Sequence, residues 1–156
     1  MTKTNAVRLL EQAGLPFRTI EYDYDERDLN GMHVSEQTGM PPEQVFKTLV
    51  ARGEKSGILV FCIPVCCELD LRKAARAAGD KKVEMLHVRE LPVLTGYIRG
   101  GCSPVGMKKQ YPTYIDETAL LYDQIAVSGG MRGLQIVIAP EDLICYTGMT
   151  EADLTQ

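Results

Sequence analysis

Apolar residues recur along the chain with two different periods, and the change from one to the other marks out the elements. Ala6, Leu9, Leu10 and Ala13 follow helical spacing, and Gly14 with Pro16 predicts where that helix stops. Residues 17–22 alternate as a strand, the acidic stretch 23–28 reads as a solvated loop or lid, and Gly31, Gly39 and Pro41-Pro42 bracket a short helix. The β-rich runs 45–50 and 58–63, separated by 52–57, predict a hairpin. Asp70 is placed to cap a helix over 71–78 that Gly79 closes. Residues 81–85 predict a strand, a glycine-rich stretch runs from Gly96 to Gly106, and 112–115, 124–127 and 134–138 predict three more strands, the last two joined through 128–133. Pro140-Glu-Asp opens a final helix over 140–146, its acidic residues complementing the helix dipole. Hairpins and helices mix without a regular βαβ rhythm, so the expected class is α/β of the mixed, α+β-like kind, built on a largely antiparallel sheet.

No repeat, low-complexity run or linker divides the 156 residues, and the whole chain, 1–156, is expected to be a single domain. The balance of 17 Lys plus Arg against 21 Asp plus Glu gives a net charge of −4, which argues against generic nucleic-acid binding but leaves room for a local basic patch. No stretch approaches about 20 uninterrupted apolar residues, and the N-terminal residues lack an apolar leader. Neither a membrane span nor secretion is expected. The five cysteines, Cys62, Cys66, Cys67, Cys102 and Cys145, are odd in number and include an adjacent pair, which suits thiols in a reducing cytoplasm. His33 and His87 stand isolated, so neither a metal nor another cofactor is expected.

Three features carry candidate chemistry. Strand alternation puts Lys47 on the same face as Val45 and Leu49, so its ammonium belongs at a sheet edge or in a pocket. There it either blunts an exposed edge or anchors an anionic or carbonyl-bearing substrate. The stretch Gly96-Tyr-Ile-Arg-Gly-Gly-Cys-Ser-Pro-Val-Gly106 can converge backbone N–H groups on a phosphate or a developing oxyanion, or can be a plain turn. It is no Walker A loop, since Met107-Lys108-Lys109 follows where Lys-Ser/Thr is required. Cys102 invites a thiol-hydrolase reading, but neither histidine forms a recognisable base signature with it, and Ser103 lacks the Gly-x-Ser-x-Gly elbow. Arg72, Lys73, Arg76, Lys81, Lys82, Lys108 and Lys109 form basic clusters that either meet a phosphate backbone or are solvated faces.

Gln44-Val-Phe-Lys-Thr-Leu-Val50, Gly100-Gly-Cys-Ser-Pro-Val-Gly-Met-Lys-Lys109 and Val127-Ser-Gly-Gly-Met-Arg-Gly-Leu134, together with Val83-Glu-Met85 and Thr95-Gly-Tyr97, resemble the bacterial YbaK-type aminoacyl-tRNA deacylases in register over nearly the whole chain. The resemblance implies a barrel-like editing domain, related to the one inserted in bacterial prolyl-tRNA synthetases, that hydrolyses the ester of mischarged tRNA, typically Cys-tRNA(Pro). Such a sieve has a physical rationale, because a proline pocket discriminates similar-sized side chains by only about 1–3 kcal/mol. By the same resemblance Lys47 is the pocket lysine, and the backbone of Gly101, Cys102 and Ser103 supplies the oxyanion site. Tyr22, Asn30, Thr48, Gly100, Pro104, Ser128, Gly129 and Gln135 line the substrate pocket. The substrate thiol serves as nucleophile, mischarged tRNA(Pro) is the partner, and prolyl-tRNA synthetase is a second partner that sharpens tRNA selectivity. Asn30 stands where an aromatic is expected and Gln135 where an aspartate is expected, departures that bear on substrate choice. A non-catalytic regulator of the same fold, binding tRNA or a synthetase, is the alternative reading.

Overall fold

Thr4 starts the first helix by accepting a hydrogen bond from the Val7 N–H at 3.1 Å, while its own hydroxyl donates to the carbonyl of Gly129, tying the N-terminus to a distant loop. The computed structural model describes residues 3–156. Helix α1 (Asn5–Gln12) buries Ala6, Val7 and Leu10 and leads to strand β1 (Phe17–Glu21) and helix α2 (Gly31–Thr38). A 3-10 turn at Pro42–Gln44 delivers the chain to the hairpin of β2 (Phe46–Gly53) and β3 (Gly57–Pro64). Helix α3 (Leu71–Ala78) begins at Asp70, whose carboxylate accepts from the N–H groups of Arg72 and Lys73, and ends at Gly79 with φ +68°. Then come β4 (Val83–Met85), a 3-10 turn at Val88–Glu90, α4 (Leu91–Thr95), β5 (Thr113–Asp116), β6 (Ile125–Ser128), β7 (Leu134–Ile138), α5 (Pro140–Thr147) and β8 (Thr150–Ala152).

The strands form two open sheets, ordered β1-β7-β6 and β4-β2-β3-β5-β8. Pairing is antiparallel except for β3 with β5 and β5 with β8, which run parallel. The mixed α/β class and its largely antiparallel character therefore hold, whereas neither sheet closes into a barrel. The reason lies at β2. Its outer edge is shared, with β4 covering only Ala51–Gly53 and a single bridge from Val45 to Ala126 taking the other end. The two sheets meet there without completing a ring.

Every residue of β7 is buried, because the sheet it centres is covered on both faces. Leu134, Ile136 and Ile138 pack with Leu10, Phe46, Ile115 and Leu143, while Val137 packs on the other side with Val45, Val65 and Ala126. Burying each such large side chain contributes about 1.5–3 kcal/mol. A separate cluster beneath α3 joins Ala74 and Ala75 to Phe61, Ile63 and Leu154.

A buried carboxylate helps to hold the C-terminal segment. Asp116, 1% exposed, accepts from the Thr118 N–H at 3.3 Å, the Thr118 hydroxyl at 2.6 Å and the Leu154 N–H at 3.0 Å. Asp116→Ala leaves these donors without an acceptor, and each buried orphan costs about 1–3 kcal/mol. The expected outcome is a loss of about 2–3 kcal/mol, read as a fall in Tm of about 4–12 °C by thermal unfolding.

Candidate active site

The end of β4 leaves a gap in the sheet, and a large cavity lies along it. In an antiparallel pair, alternate residues turn both backbone groups toward the same neighbour. The carbonyl of Val45 faces β3, where it accepts from the Val65 N–H at 2.8 Å, and the carbonyl of Val50 faces outward, accepting from the Leu86 N–H at 3.1 Å. Lys47 and Leu49 thus share the register of Val45, and Thr48 turns its N–H and C=O to the side that β4 has vacated. A cavity of about 870 Å³ occupies this side, lined by Lys47 and Thr48 of β2, Ser128 of β6, Gln135 of β7, Asn30 before α2, and Gly100 and Cys102 of the glycine loop.

Lys47 is partly buried and makes no ion pair or side-chain hydrogen bond among the described residues, so its ammonium is available to a ligand. Its position fits both earlier readings at once, since β2 is locally an edge and that edge lines a pocket. The Thr48 side chain points to the opposite face, with its hydroxyl 3.8 Å from Cys62 Sγ. Ser128 and Gln135 are cross-strand partners and stand side by side. Gln135 is 4% exposed, and its Oε1 has no hydrogen-bond partner. Asn30 has a structural task as well, capping α2 by accepting from the Met32 N–H at 2.9 Å.

The glycine loop is held from several sides. Gly96 ends α4 with φ +85°, the Lys108 N–H donates to Thr95 at 3.0 Å, and the Arg132 Nε donates to the carbonyl of Arg99 at 2.8 Å. At Gly101 the loop runs against the β6–β7 hairpin so closely that a Cβ would lie 3.0 Å from the Met131 Cα, which explains glycine there. One of the three N–H groups expected at the oxyanion site has a partner within the loop. The Gly101 N–H is already engaged, donating to the carbonyl of Ile98 at 3.0 Å. The Ser103 hydroxyl staples the loop, accepting from the Val105 N–H at 3.2 Å in a residue with no exposure. Among the described residues the N–H groups of Cys102 and Ser103 meet no acceptor, and of the two only Cys102 lines the cavity. Burial pushes the Cys102 thiol up to about 12, with the Thr95 hydroxyl opposing the shift, so at neutral pH it is a protonated, weak nucleophile.

Other expected positions fall elsewhere. Tyr22 lines a neighbouring cavity of about 490 Å³ together with Tyr24, Arg132 and Gly133. Pro104 and Gly129 do not reach the main cavity; the Gly129 N–H closes the hairpin by donating to Leu134 at 2.8 Å. None of the seven basic residues expected to meet tRNA lines the cavity. Lys73 is engaged by Asp153 at 3.1 Å and the Thr155 carbonyl at 2.6 Å, and Lys82 by Glu84 at 2.9 Å. Arg72, Arg76, Lys81, Lys108 and Lys109 are exposed. The cavity has instead Arg27, Arg99 and His87, which sequence spacing did not single out. Among the described residues no group of three or more His, Cys, Asp or Glu side chains is placed to hold a metal ion, and no helix is long and apolar enough to cross a membrane.

Known proteins resemble this chain along most of its length. EbsC of Enterococcus faecalis, a proposed Cys-tRNA(Pro)/Cys-tRNA(Cys) deacylase, is 50% identical over 153 residues, 98% of this chain and 93% of its own. An uncharacterised Bacillus subtilis protein, YwhH, is 25% identical over 109 residues, 70% of this chain and 69% of its own. A crystal structure of a proposed trans-editing enzyme for prolyl-tRNA synthetase superposes with a TM-score of 0.84 at 29% identity, covering 99% of both chains. With residues 32–146 matching the aminoacyl-tRNA editing domain, and a relative at 50% identity over almost its full length, the chain belongs to the aminoacyl-tRNA editing domain family.

Proposed function

We infer that this chain is a trans-editing hydrolase, its residues 1–156 forming one editing domain that acts in the cytoplasm, and that it cleaves the ester of mischarged aminoacyl-tRNA, with Cys-tRNA(Pro) as its substrate. The observation that carries this reading is the meeting of an unpaired Lys47 and the free Cys102 N–H at one cavity, in a chain half identical to a proposed deacylase of that specificity. An aminoacyl ester is already activated, so a positioned substrate and an oxyanion donor suffice. One such donor is worth about 3–4 kcal/mol. The Cys102 N–H meets the developing oxyanion, and Lys47 orients the substrate through its carbonyl, ribose or terminal phosphate. The substrate's own thiolate attacks its ester carbonyl and expels the ribose oxygen, which takes up a proton, and water then opens the resulting thiolactone to free cysteine; this accords with the protonated, buried state of Cys102.

The test is deacylation of purified Cys-tRNA(Pro) beside Pro-tRNA(Pro). Hydrolysis of the first and sparing of the second supports the assignment. Binding of tRNA without hydrolysis would support the regulator instead.

Affinity for tRNA is expected to be weak and strongly salt-dependent, because a chain of net charge −4 has only local cations with which to meet phosphates. With about three phosphate contacts, raising salt from about 50 to about 200 mM weakens binding by roughly fortyfold on the duplex slope. Filter binding across that range measures it. Selectivity for tRNA(Pro) then comes from a partner such as prolyl-tRNA synthetase, and a tight, salt-insensitive binary complex would count against this.

A further inference from the structure

The cavity is far larger than a cysteinyl group requires, and part of its surplus is apolar. One wall is formed by Met85 at the end of β4 and the segment after it, where Met85 is 45% exposed, Val88 is 57% exposed, and His87 between them is also open to solvent. Large apolar side chains lying open along a functional cavity mark a contact surface. This lip is also firmly seated. The Leu86 N–H reaches the Val50 carbonyl at 3.1 Å, Glu90 pairs with Arg52 at 3.0 Å, and Leu86 and Leu91 pack inward against Val50, Val60 and Cys102.

Resting on the deacylase reading, we propose that Met85, His87 and Val88 form a subsite for the nucleobase of the terminal nucleoside to which the amino acid is esterified. An ester on the ribose lies one sugar away from its base. Whatever holds the ester therefore brings the base into the same cavity, and at about 870 Å³ this one lies near the top of the range of about 300–1,000 Å³ that encloses small ligands. A purine offers two flat apolar faces, which suit a polarisable thioether, an imidazole and a branched aliphatic group. Arg99, and Arg27 beside Asp25 at 3.4 Å, line the same cavity and supply charge for the 5′ phosphate of that nucleoside. The lip contributes binding energy remote from the bond that breaks, so the base acts as a handle that positions the ester.

Cysteine methyl ester has the reacting bond without the base; cysteine esterified to the ribose of AMP has both. Each is measured as an enhancement over its own uncatalysed hydrolysis, alongside the amide NMR shifts that AMP alone produces. Wild type is expected to favour the nucleotide ester by at least about tenfold in kcat/KM. Val88→Asp, at an exposed position that leaves the core intact, removes most of that preference through KM while leaving the methyl ester unchanged, and AMP shifts the amides of residues 85–88. Equal enhancement of the two esters, equal losses of both in Val88→Asp, or AMP shifts confined to other residues would each overturn the proposal. A protein that hydrolyses neither ester yet shows AMP shifts at 85–88 keeps the subsite and loses the deacylase reading.

Discussion

Lys47→Ala is expected to lower kcat/KM for Cys-tRNA(Pro) hydrolysis by about tenfold or more, a loss of at least about 1.4 kcal/mol of transition-state stabilisation. The structure makes this a clean experiment. Lys47 has no ion pair or side-chain hydrogen bond among the described residues, so its removal leaves no buried carboxylate uncompensated. The aliphatic stem is only partly buried, and the neighbouring backbone remains paired along β3 through Lys47–Ile63. Stability is expected to change by less than about 1 kcal/mol, within the range of substitutions away from buried networks. Lys47→Arg adds a second control, since a planar guanidinium keeps the charge but not the compact geometry of an ammonium. An intermediate rate for Lys47→Arg supports an orienting charge. A wild-type rate in a folded Lys47→Ala protein shows that the lysine only blunts the edge of β2.

What the sequence disclosed depended on how local the cause was. Helix α3 was legible to the residue, because Asp70, the Arg72–Arg76 turn and Gly79 carry its start and stop within ten positions. The β2–β3 hairpin and the buried run of β7 were equally local. The parallel pairing of β3 with β5 and of β5 with β8 was not, since periodicity shows that a strand exists and not which strand it joins. Helix α4 and the lip before it escaped notice because Leu91-Pro-Val-Leu-Thr95 is too short for a helical period to show. At the site, Lys47 was legible as a charge on an apolar strand face, whereas Arg27, His87 and Arg99 join it only through the tertiary fold. The engagement of the Gly101 N–H by Ile98, and of Lys73 by Asp153, likewise depends on chain geometry that composition does not encode. The Tyr22 ring illustrates the same limit. Tyr22 follows β1 and lines the neighbouring cavity, a placement its position in the sequence does not show.

Replacing Cys102 with Ala is expected to preserve deacylation, while replacing the cysteinyl ester with a seryl ester is expected to abolish most of it. The two thiols differ in availability. The thiol of a cysteinyl substrate in water has a pKa of about 8.5, so about 3% is thiolate at pH 7. Burial raises Cys102 to about 12, which leaves roughly one part in 10⁵ ionised at that pH. A hydroxyl in place of the substrate thiol keeps the size nearly constant and removes the nucleophile. Cys102→Ala keeps the backbone N–H that faces the cavity, and the methyl that remains still contacts Val50 and Val60. The pH dependence follows from the same argument. The enzymatic rate, corrected for uncatalysed hydrolysis, rises about tenfold per unit below the substrate thiol's pKa, bends over at about 8.5, where half of the thiol is ionised, and levels off about one unit higher. A Cys102 nucleophile would instead keep the rate rising toward pH 12. Deacylation of Cys-tRNA(Pro) and Ser-tRNA(Pro) by wild type and by Cys102→Ala, each followed from pH 6 to 9.5 or as far as the esters survive, decides the matter. An inert Cys102→Ala protein with rapid seryl-ester hydrolysis by wild type moves the nucleophile to the enzyme. Full activity in both cases assigns the attack to a water held at the Cys102 amide and Lys47.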